Sequence, residues 1–235
     1  GDVYKRQHIF HKRNWRKKSL LLCLTIALTG IATVGIAGAA SQVMAKMQEG
    51  EPKKTAITFD DGPNPEYTEE LLEGLKERGV KATFFLLGKE VETYPEIVKK
   101  IHEDGHLIGT HSYEHVNLSN LCDAAAIEQV DKTNNAIYSI TGEYPQYIRP
   151  PFGCWKCNLD YETTMIEVLW DVDPLDWKTD NSDVITKRVV DKVQPDDIIL
   201  LHDASESSVK AAFKIIDALQ GQGYTFVTVD ELIFE

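Results

Sequence analysis

From about residue 53 onward, short apolar runs alternate with longer stretches whose apolar positions recur every three or four residues. The short runs Thr55–Phe59, Ala82–Leu87, Leu107–Thr110, Tyr147–Arg149, Ile166–Asp171, Ile198–Leu201 and Thr225–Thr228 are predicted strands. Between them, PEYTEELLEGLKERG sets Leu71, Leu72 and Leu75 on one helical face and ends at Gly79. YPEIVKKIHEDG ends at Gly105, and the helix in SSVKAAFKIIDALQGQG ends at Gly221. Strands alternating with helices of this length imply parallel strands joined by crossovers. The fold class is therefore α/β with about seven parallel strands. Such units either close as a barrel or stay open as a sheet, and periodicity does not choose between them. No internal repeat or low-complexity tract interrupts the pattern.

The N-terminal part is different. No charge occurs from Ser19 to Ala45, and the apolar stretch Leu20–Ala40 is 21 residues long. About 20 apolar residues span a bilayer, whereas the core of a signal peptide has roughly 7–15. Lys12, Arg13, Arg16, Lys17 and Lys18 lie just upstream, which holds the N-terminus in the cytoplasm and exports the C-terminal remainder of the chain. The expected layout is a basic cytoplasmic segment at 1–18, a transmembrane anchor or signal helix at 19–45, a linker at 46–54 and one catalytic-sized domain at 55–235. A single-pass membrane anchor with an extracellular domain is the preferred reading. Cleavage after AGA (Ala37–Ala39) or VMA (Val43–Ala45), giving a secreted protein, is the alternative. The opening string GDVYKRQ resembles translated sequencing-adaptor sequence and is set aside from the fold. Cys23 follows LLL, without the small residue expected before a lipidated cysteine.

Charge narrows the partners. The chain has 25 basic and 37 acidic side chains; eight basic and two acidic ones lie in residues 1–50, which leaves 17 against 35 in the remainder, a balance of −18. Nucleic acid, which requires a basic footprint, is excluded as a partner.

Candidate chemistry starts at AITFDDGPNP, where Asp60 and Asp61 stand side by side at the end of an apolar run. Adjacent carboxylates repel, and burial raises their pKa unless a cation or hydrogen-bond donors stabilise the charge. His111 and His115, in GTHSYEH, have the i, i+4 spacing that puts two imidazoles on one side of a helical turn. Read alone, such a pair is as readily two satisfied or exposed histidines. His102 and His106 share the spacing, but Asp104–Gly105 breaks the helix between them and His106 opens the next strand, so they belong to the opposite end of the sheet and are structural.

The polar groups share a position. Asp60 and Asp61 follow TAITF, His111 and His115 follow LIGT, Arg149 closes YPQYIR, Asp176 follows MIEVLWDV after a short turn, and His202 follows DIILL. Each sits at or after the C-terminal end of an apolar run, the edge on which parallel α/β folds build sites. Successive strand residues point to opposite faces, so Asp60 and Asp61 serve one site only where the chain bends, and Gly62–Pro63 supplies a turn. One carboxylate and two imidazoles make the three-ligand set of a catalytic zinc site, and the second carboxylate is then free to act as general base.

In order and approximate spacing, TFDDGPNP, HSYEH, RPPFG, DPLDW and LLHD resemble the five motifs of the polysaccharide deacetylases, the NodB-homology carbohydrate esterases of family 4. The resemblance runs from Thr58 to Asp203. It implies a distorted (β/α) barrel, a divalent metal (zinc first, with Co2+ or Mn2+ open) and hydrolysis of an N-acetyl, less readily an O-acetyl, group on a sugar. Carried over motif by motif, Asp61, His111 and His115 are the metal ligands and Asp60 is the base. His202 is the acid that protonates the leaving amine, Asp176 its partner, Arg149 the residue that orients Asp60, and the backbone N–H of Phe152 an oxyanion donor. Trp155 and Trp177 are expected to pack near the site or contact sugar. The substrate is expected to be an extracellular polysaccharide, peptidoglycan first and a chitin-like glycan next. A non-catalytic carbohydrate-binding domain and an amidohydrolase acting on a small non-sugar amide are the competing readings. In GCWKC, Cys154 and Cys157 suggest a short-loop disulfide or free thiols, and Cys122 makes the exported count odd.

Overall fold

All seven predicted strands form, and every pairing between them is parallel. The computed structural model describes residues 52–156 and 159–234. Within these, β1 (Lys53–Asp60), β2 (Thr83–Leu86), β3 (Leu107–Thr110), β4 (Tyr147–Ile148), β5 (Ile166–Glu167) and β6 (Ile198–His202) lie in the order β5-β4-β3-β2-β1-β6, and β7 (Tyr224–Phe226) pairs with the start of β1. The basic segment 1–18, the apolar segment 19–45 and Cys157 lie outside the described residues. Among those described, no helix is long and apolar enough to cross a membrane. The expected linker is shortened at its end, because Lys53 and Lys54 already pair with Tyr224 and Thr225.

Eight α-helices form among the described residues. They are α1 (Thr68–Glu77), α2 (Gly88–Thr93), α3 (Pro95–Glu103), α4 (Asp123–Thr141), α5 (Leu159–Thr163), α6 (Ser182–Val190), α7 (Glu206–Gly221) and α8 (Val229–Phe234). Of these, α1, α3 and α7 fall in the stretches whose periodicity predicts them. Pro95 opens α3, where its missing N–H costs nothing. Asn181 and Ser205 cap α6 and α7 by accepting hydrogen bonds from backbone amides of the first turn. The 19-residue α4 is the least legible from periodicity. Its buried side is Ala126, Val130, Thr133, Asn134 and Ile137, so small and polar residues dilute the apolar stripe.

The two faces of β1 define two layers. Ile57 and Phe59 join Phe84 and Leu86 of β2 and Ile199 and Leu201 of β6 in the main core, packed against Leu71 and Leu75 of α1, Ile101 of α3 and Ile215 of α7. The rings of Phe59 and Phe84 stack with centroids 5.3 Å apart. Truncating either to alanine would cost about 3–5 kcal/mol. Ala56 belongs to a second cluster with Phe85, Tyr147 and Val229. With side chains alternating along the strand, Thr58 and Asp60 share that inner face.

The sheet curls but closes only in part, which corrects the expected barrel. Instead of the expected run to Asp171, β5 stops at Glu167. The next two carbonyls, of Val168 and Leu169, accept hydrogen bonds from the guanidinium of Arg149. The chain then meets β6 through a single parallel bridge, Val172 to Ile199. A buried arginine thus occupies carbonyls near the seam, and the result is a curled half-barrel. His106 sits at the opposite end of β3, buried, with its Nδ1 accepting from the Ala82 N–H at 3.1 Å. Burial pushes its pKa down to about 4, with the Lys81 charge adding to the shift, so the ring is neutral and structural, as its sequence context predicts.

A candidate metal and acid–base site

Each site residue identified from the sequence lies at the C-terminal edge of the sheet, and the structure brings them together. Asp60 and His202 are aligned neighbours on β1 and β6. Asp60 is 3% exposed and Arg149 fully buried, and Arg149 Nη1 donates to Asp60 Oδ1 at 2.7 Å. The same nitrogen donates to Thr58 Oγ1 at 2.6 Å, and the guanidinium stacks over Phe85, 4.2 Å from its centroid. With Val168 and Leu169 accepting its other N–H groups, Arg149 is fixed on all sides, and Asp60 with it.

Asp61 leaves the strand direction by adopting φ +73°, ahead of a cis Gly62–Pro63 peptide. The bend expected at Gly62–Pro63 therefore begins one residue earlier. Its support is a side chain the sequence reading did not assign. Asp203 is buried against Gly62 so closely that a Cβ there would fall 2.6 Å from Asp203 Oδ2, and only glycine fits. Thr68 Oγ1, which accepts from the Asn64 N–H at 2.7 Å, donates to the same Asp203 oxygen. Burial pushes the Asp203 carboxyl up to about 6, though the Thr68 hydrogen bond opposes the shift.

The two imidazoles are not presented by a helical turn, as their spacing predicts. They flank a loop in which Ser112 and His115 take φ of +63° and +57°. The reversed backbone brings the ring centroids to 5.1 Å, with the edge of Phe152 against His115 at 4.8 Å. His111 Nδ1 lies 2.6 Å from the Arg149 carbonyl. A carbonyl only accepts, so Nδ1 carries the proton and Nε2 keeps a lone pair. Burial pushes the His111 pKa down despite the nearby Asp60 and Asp61 carboxylates, which favours this neutral form.

Asp61 Oδ1 lies 3.4 Å from Nε2 of both His111 and His115, and it is buried without a hydrogen-bond partner. Donor atoms of the three residues all fall within 4.8 Å of one another. A carboxylate oxygen facing the lone pair of a neutral imidazole is repulsive unless a cation lies between them. One oxygen and two nitrogen donors also form a set used by zinc. These residues fit a divalent metal ion.

His202 completes the group from the other side. Its Nδ1 is 2.8 Å from Asp176 Oδ1, and its backbone N–H donates to Asp176 Oδ2 at 2.9 Å. Ser208 Oγ, at the start of α7, donates to that second oxygen at 2.7 Å. Burial alone would lower the His202 pKa, but the Asp176 carboxylate outweighs it and raises the value to about 9. Burial would likewise raise Asp176, but hydrogen bonds from His202 and Ser208 hold it below the usual carboxylate range. His202 Nε2 points to the metal-ligand group, 4.0 Å from Asp61 Oδ2.

The rim is mixed. Phe152 has φ +61° in the turn Pro151–Gly153, and its side chain is largely exposed. Trp177, next to Asp176, is 62% exposed, with the Lys178 ammonium 4.3 Å from its ring centroid. Trp155 instead packs against the cluster of Leu118, Val130, Ile148 and Met165, which makes it a packing residue. Among the described residues, Cys122 and Cys154 form no disulfide.

Comparison with known proteins finds relatives in sequence and fold. A family model described as polysaccharide deacetylase matches residues 47–168. The peptidoglycan-N-acetylmuramic acid deacetylase PdaC of Bacillus subtilis is 41% identical over 180 residues, covering 77% of this chain and 38% of PdaC. A solved structure of PdaC superposes with a TM-score of 0.76 at 40% identity, covering 78% of this chain and 91% of that one. The peptidoglycan-N-acetylglucosamine deacetylase of Bacillus cereus is 40% identical over 186 residues, covering 76% of this chain and 68% of the relative. BA3943 of Bacillus anthracis, a CE4 family pseudoenzyme, superposes with a TM-score of 0.73 at 32% identity, covering 78% of this chain and 66% of that one. The chain spans about two fifths of the length of full PdaC.

Proposed function

Because the chain belongs to the polysaccharide deacetylase family, we propose that it is a metal-dependent hydrolase that removes N-acetyl groups from peptidoglycan. The observation that carries this reading is Asp61 Oδ1, buried and unpartnered between two imidazole nitrogens, with Asp60–Arg149 on one flank and Asp176–His202 on the other. Asp61, His111 and His115 would hold the ion. A bound divalent cation supplies Lewis acidity to the acetyl carbonyl and lowers the pKa of water.

The remaining chemistry is done by side chains. Asp60 takes a proton from the attacking water, and Arg149 keeps its carboxylate aimed. The water oxygen adds to the acetyl carbon, and the backbone N–H of Phe152 helps hold the developing oxyanion. The carbon–nitrogen bond then breaks while His202 Nε2 gives its proton to the departing nitrogen, and acetate and a free amino sugar result. An amide nitrogen is a poor leaving group, so a histidine protonated at neutral pH meets the main need of this step. Asp176 keeps His202 charged and oriented, and Ser208 keeps Asp176 in place.

The relatives named for N-acetylglucosamine and for N-acetylmuramic acid support a peptidoglycan substrate and leave both sugars open. The uncharged segment 19–45 behind a basic cluster supports action outside the cell, from a membrane anchor or after signal cleavage. The pseudoenzyme relative favours one competing reading, a glycan-binding domain without turnover. Acetate release from peptidoglycan, chitooligosaccharide and acetylated xylan, with and without chelator, decides between them. Chelator-sensitive release from peptidoglycan is expected. Glycan binding with no acetate at any zinc concentration would overturn the enzyme reading.

A further inference from the structure

The loop between the two imidazoles lacks regular secondary structure, yet its backbone is tied on both sides. The carbonyls of Ser112 and Tyr113 accept from the N–H groups of Gly88 and Lys89 at the start of α2, at 3.1 and 3.2 Å. On the other side, Gln129 of α4 reaches the loop with both atoms of its amide. Gln129 Oε1 accepts from the backbone N–H of Tyr113 at 3.1 Å and of Glu114 at 3.0 Å, and Nε2 donates to Glu114 Oε2 at 3.0 Å. Tyr113 is further held by Glu92, which accepts from its hydroxyl at 2.7 Å, and by Lys132, whose ammonium lies 3.5 Å from the ring centroid.

Non-glycine residues at positive φ persist where their surroundings over-determine them. Ser112 and His115, the two such residues in this loop, bracket the two amides that Gln129 binds. His111 has an independent support in the Arg149 carbonyl and is buried. His115 is half-buried and held by its edge contact with Phe152. Its position therefore depends on the path of the loop between residues 112 and 115.

We propose that Gln129 is a positioning residue for the metal-ligating pair. It fixes the path from His111 to His115, sets the separation of their Nε2 atoms and so sets metal affinity, touching neither ion nor substrate. This rests on the reading of Asp61, His111 and His115 as the metal site.

Zinc affinity of the full chain, measured by competition with a chromophoric chelator, tests it. The panel is wild type, Gln129→Leu, Gln129→Ala, Gln129→Glu, His115→Ala and, as a control on the exposed side of α4, Glu128→Ala. Gln129→Leu and Gln129→Ala are expected to bind zinc about 10–100-fold more weakly than wild type. Gln129→Glu, whose carboxylate still accepts from both amides, is expected to lose less. At saturating zinc, acetate release by the Leu and Ala variants should return to the wild-type kcat, because Gln129 does not contact the reacting atoms. The Ala variant carries the test if the Leu variant fails to fold. Zinc affinity in a folded Leu or Ala variant equal to that of Glu128→Ala would overturn the assignment, as would a lowered kcat that zinc does not restore. A wild-type chain that binds no zinc, or a His115→Ala variant that binds it normally, would instead overturn the metal-site reading beneath it.

Discussion

Arg149 and Asp60 form an ion pair at 2.7 Å in which the arginine is fully buried and the aspartate nearly so. Taking two charges out of water is costly, and only close geometry with further hydrogen bonds compensates for it. Arg149 meets that condition through Thr58, Val168 and Leu169. Replacing Arg149 with methionine leaves Asp60 buried and uncompensated and should destabilise the domain by about 3–5 kcal/mol. Urea unfolding measures this. The double variant with Asp60→Asn should regain part of the stability but none of the turnover. A single variant as stable as wild type would show that the pair is not holding the strand edges together.

Asp60→Asn separates base chemistry from metal binding. Asparagine keeps an oxygen that accepts from Arg149 and loses the capacity to take a proton. The variant should retain zinc after dialysis and lose about 10²–10⁴ in kcat. Full activity would remove Asp60 from the base role.

His115→Ala removes one of the three donors around Asp61 Oδ1. The purified variant should contain little metal by elemental analysis after dialysis against a weak chelator, and added zinc should restore little activity. Unchanged metal content would take His115 out of the ligand set.

The His202–Asp176 pair sets a pH dependence. In the folded, metal-free protein His202 has a pKa of about 9, above the ordinary value of 6.5. A raised folded-state value means that the native state binds the proton more tightly than the unfolded chain. The stabilisation is fully present below about pH 6.5 and is lost as pH rises through about 9. Proton NMR of the His202 ring should show its titration there, and Asp176→Asn should move the midpoint down by more than a unit. An unmoved midpoint would mean that Asp176 does not hold the proton on His202.

Much of the candidate site was legible because it follows strand ends. Asp60, His111, Arg149 and His202 each terminate or directly follow an apolar run, and parallel strands bring such ends to one edge whatever their distance along the chain. Gln129 and Ser208 carried no comparable signal. Both lie on helices, and their partners, Tyr113, Glu114 and Asp176, are 15 to 32 residues away. Asp203 was visible in LLHD, but its role under Gly62 was not, since close packing against a turn leaves no periodic trace.

By itself the sequence determined the seven parallel strands, three of the eight described α-helices (α1, α3 and α7) and the chemical types gathered at one edge, since local hydrophobic periodicity and the order of elements suffice for these. Tertiary structure alone decided how those types face one another. Asp61, Ser112, His115 and Phe152 take left-handed backbone conformations that are uncommon for any residue but glycine. Contacts made after folding hold them there, from Gln129 to the histidine loop and from Asp203 to the aspartate turn. The partial closure of the sheet has the same origin, because Arg149 occupies the Val168 and Leu169 carbonyls only once β4 and the segment after β5 lie side by side.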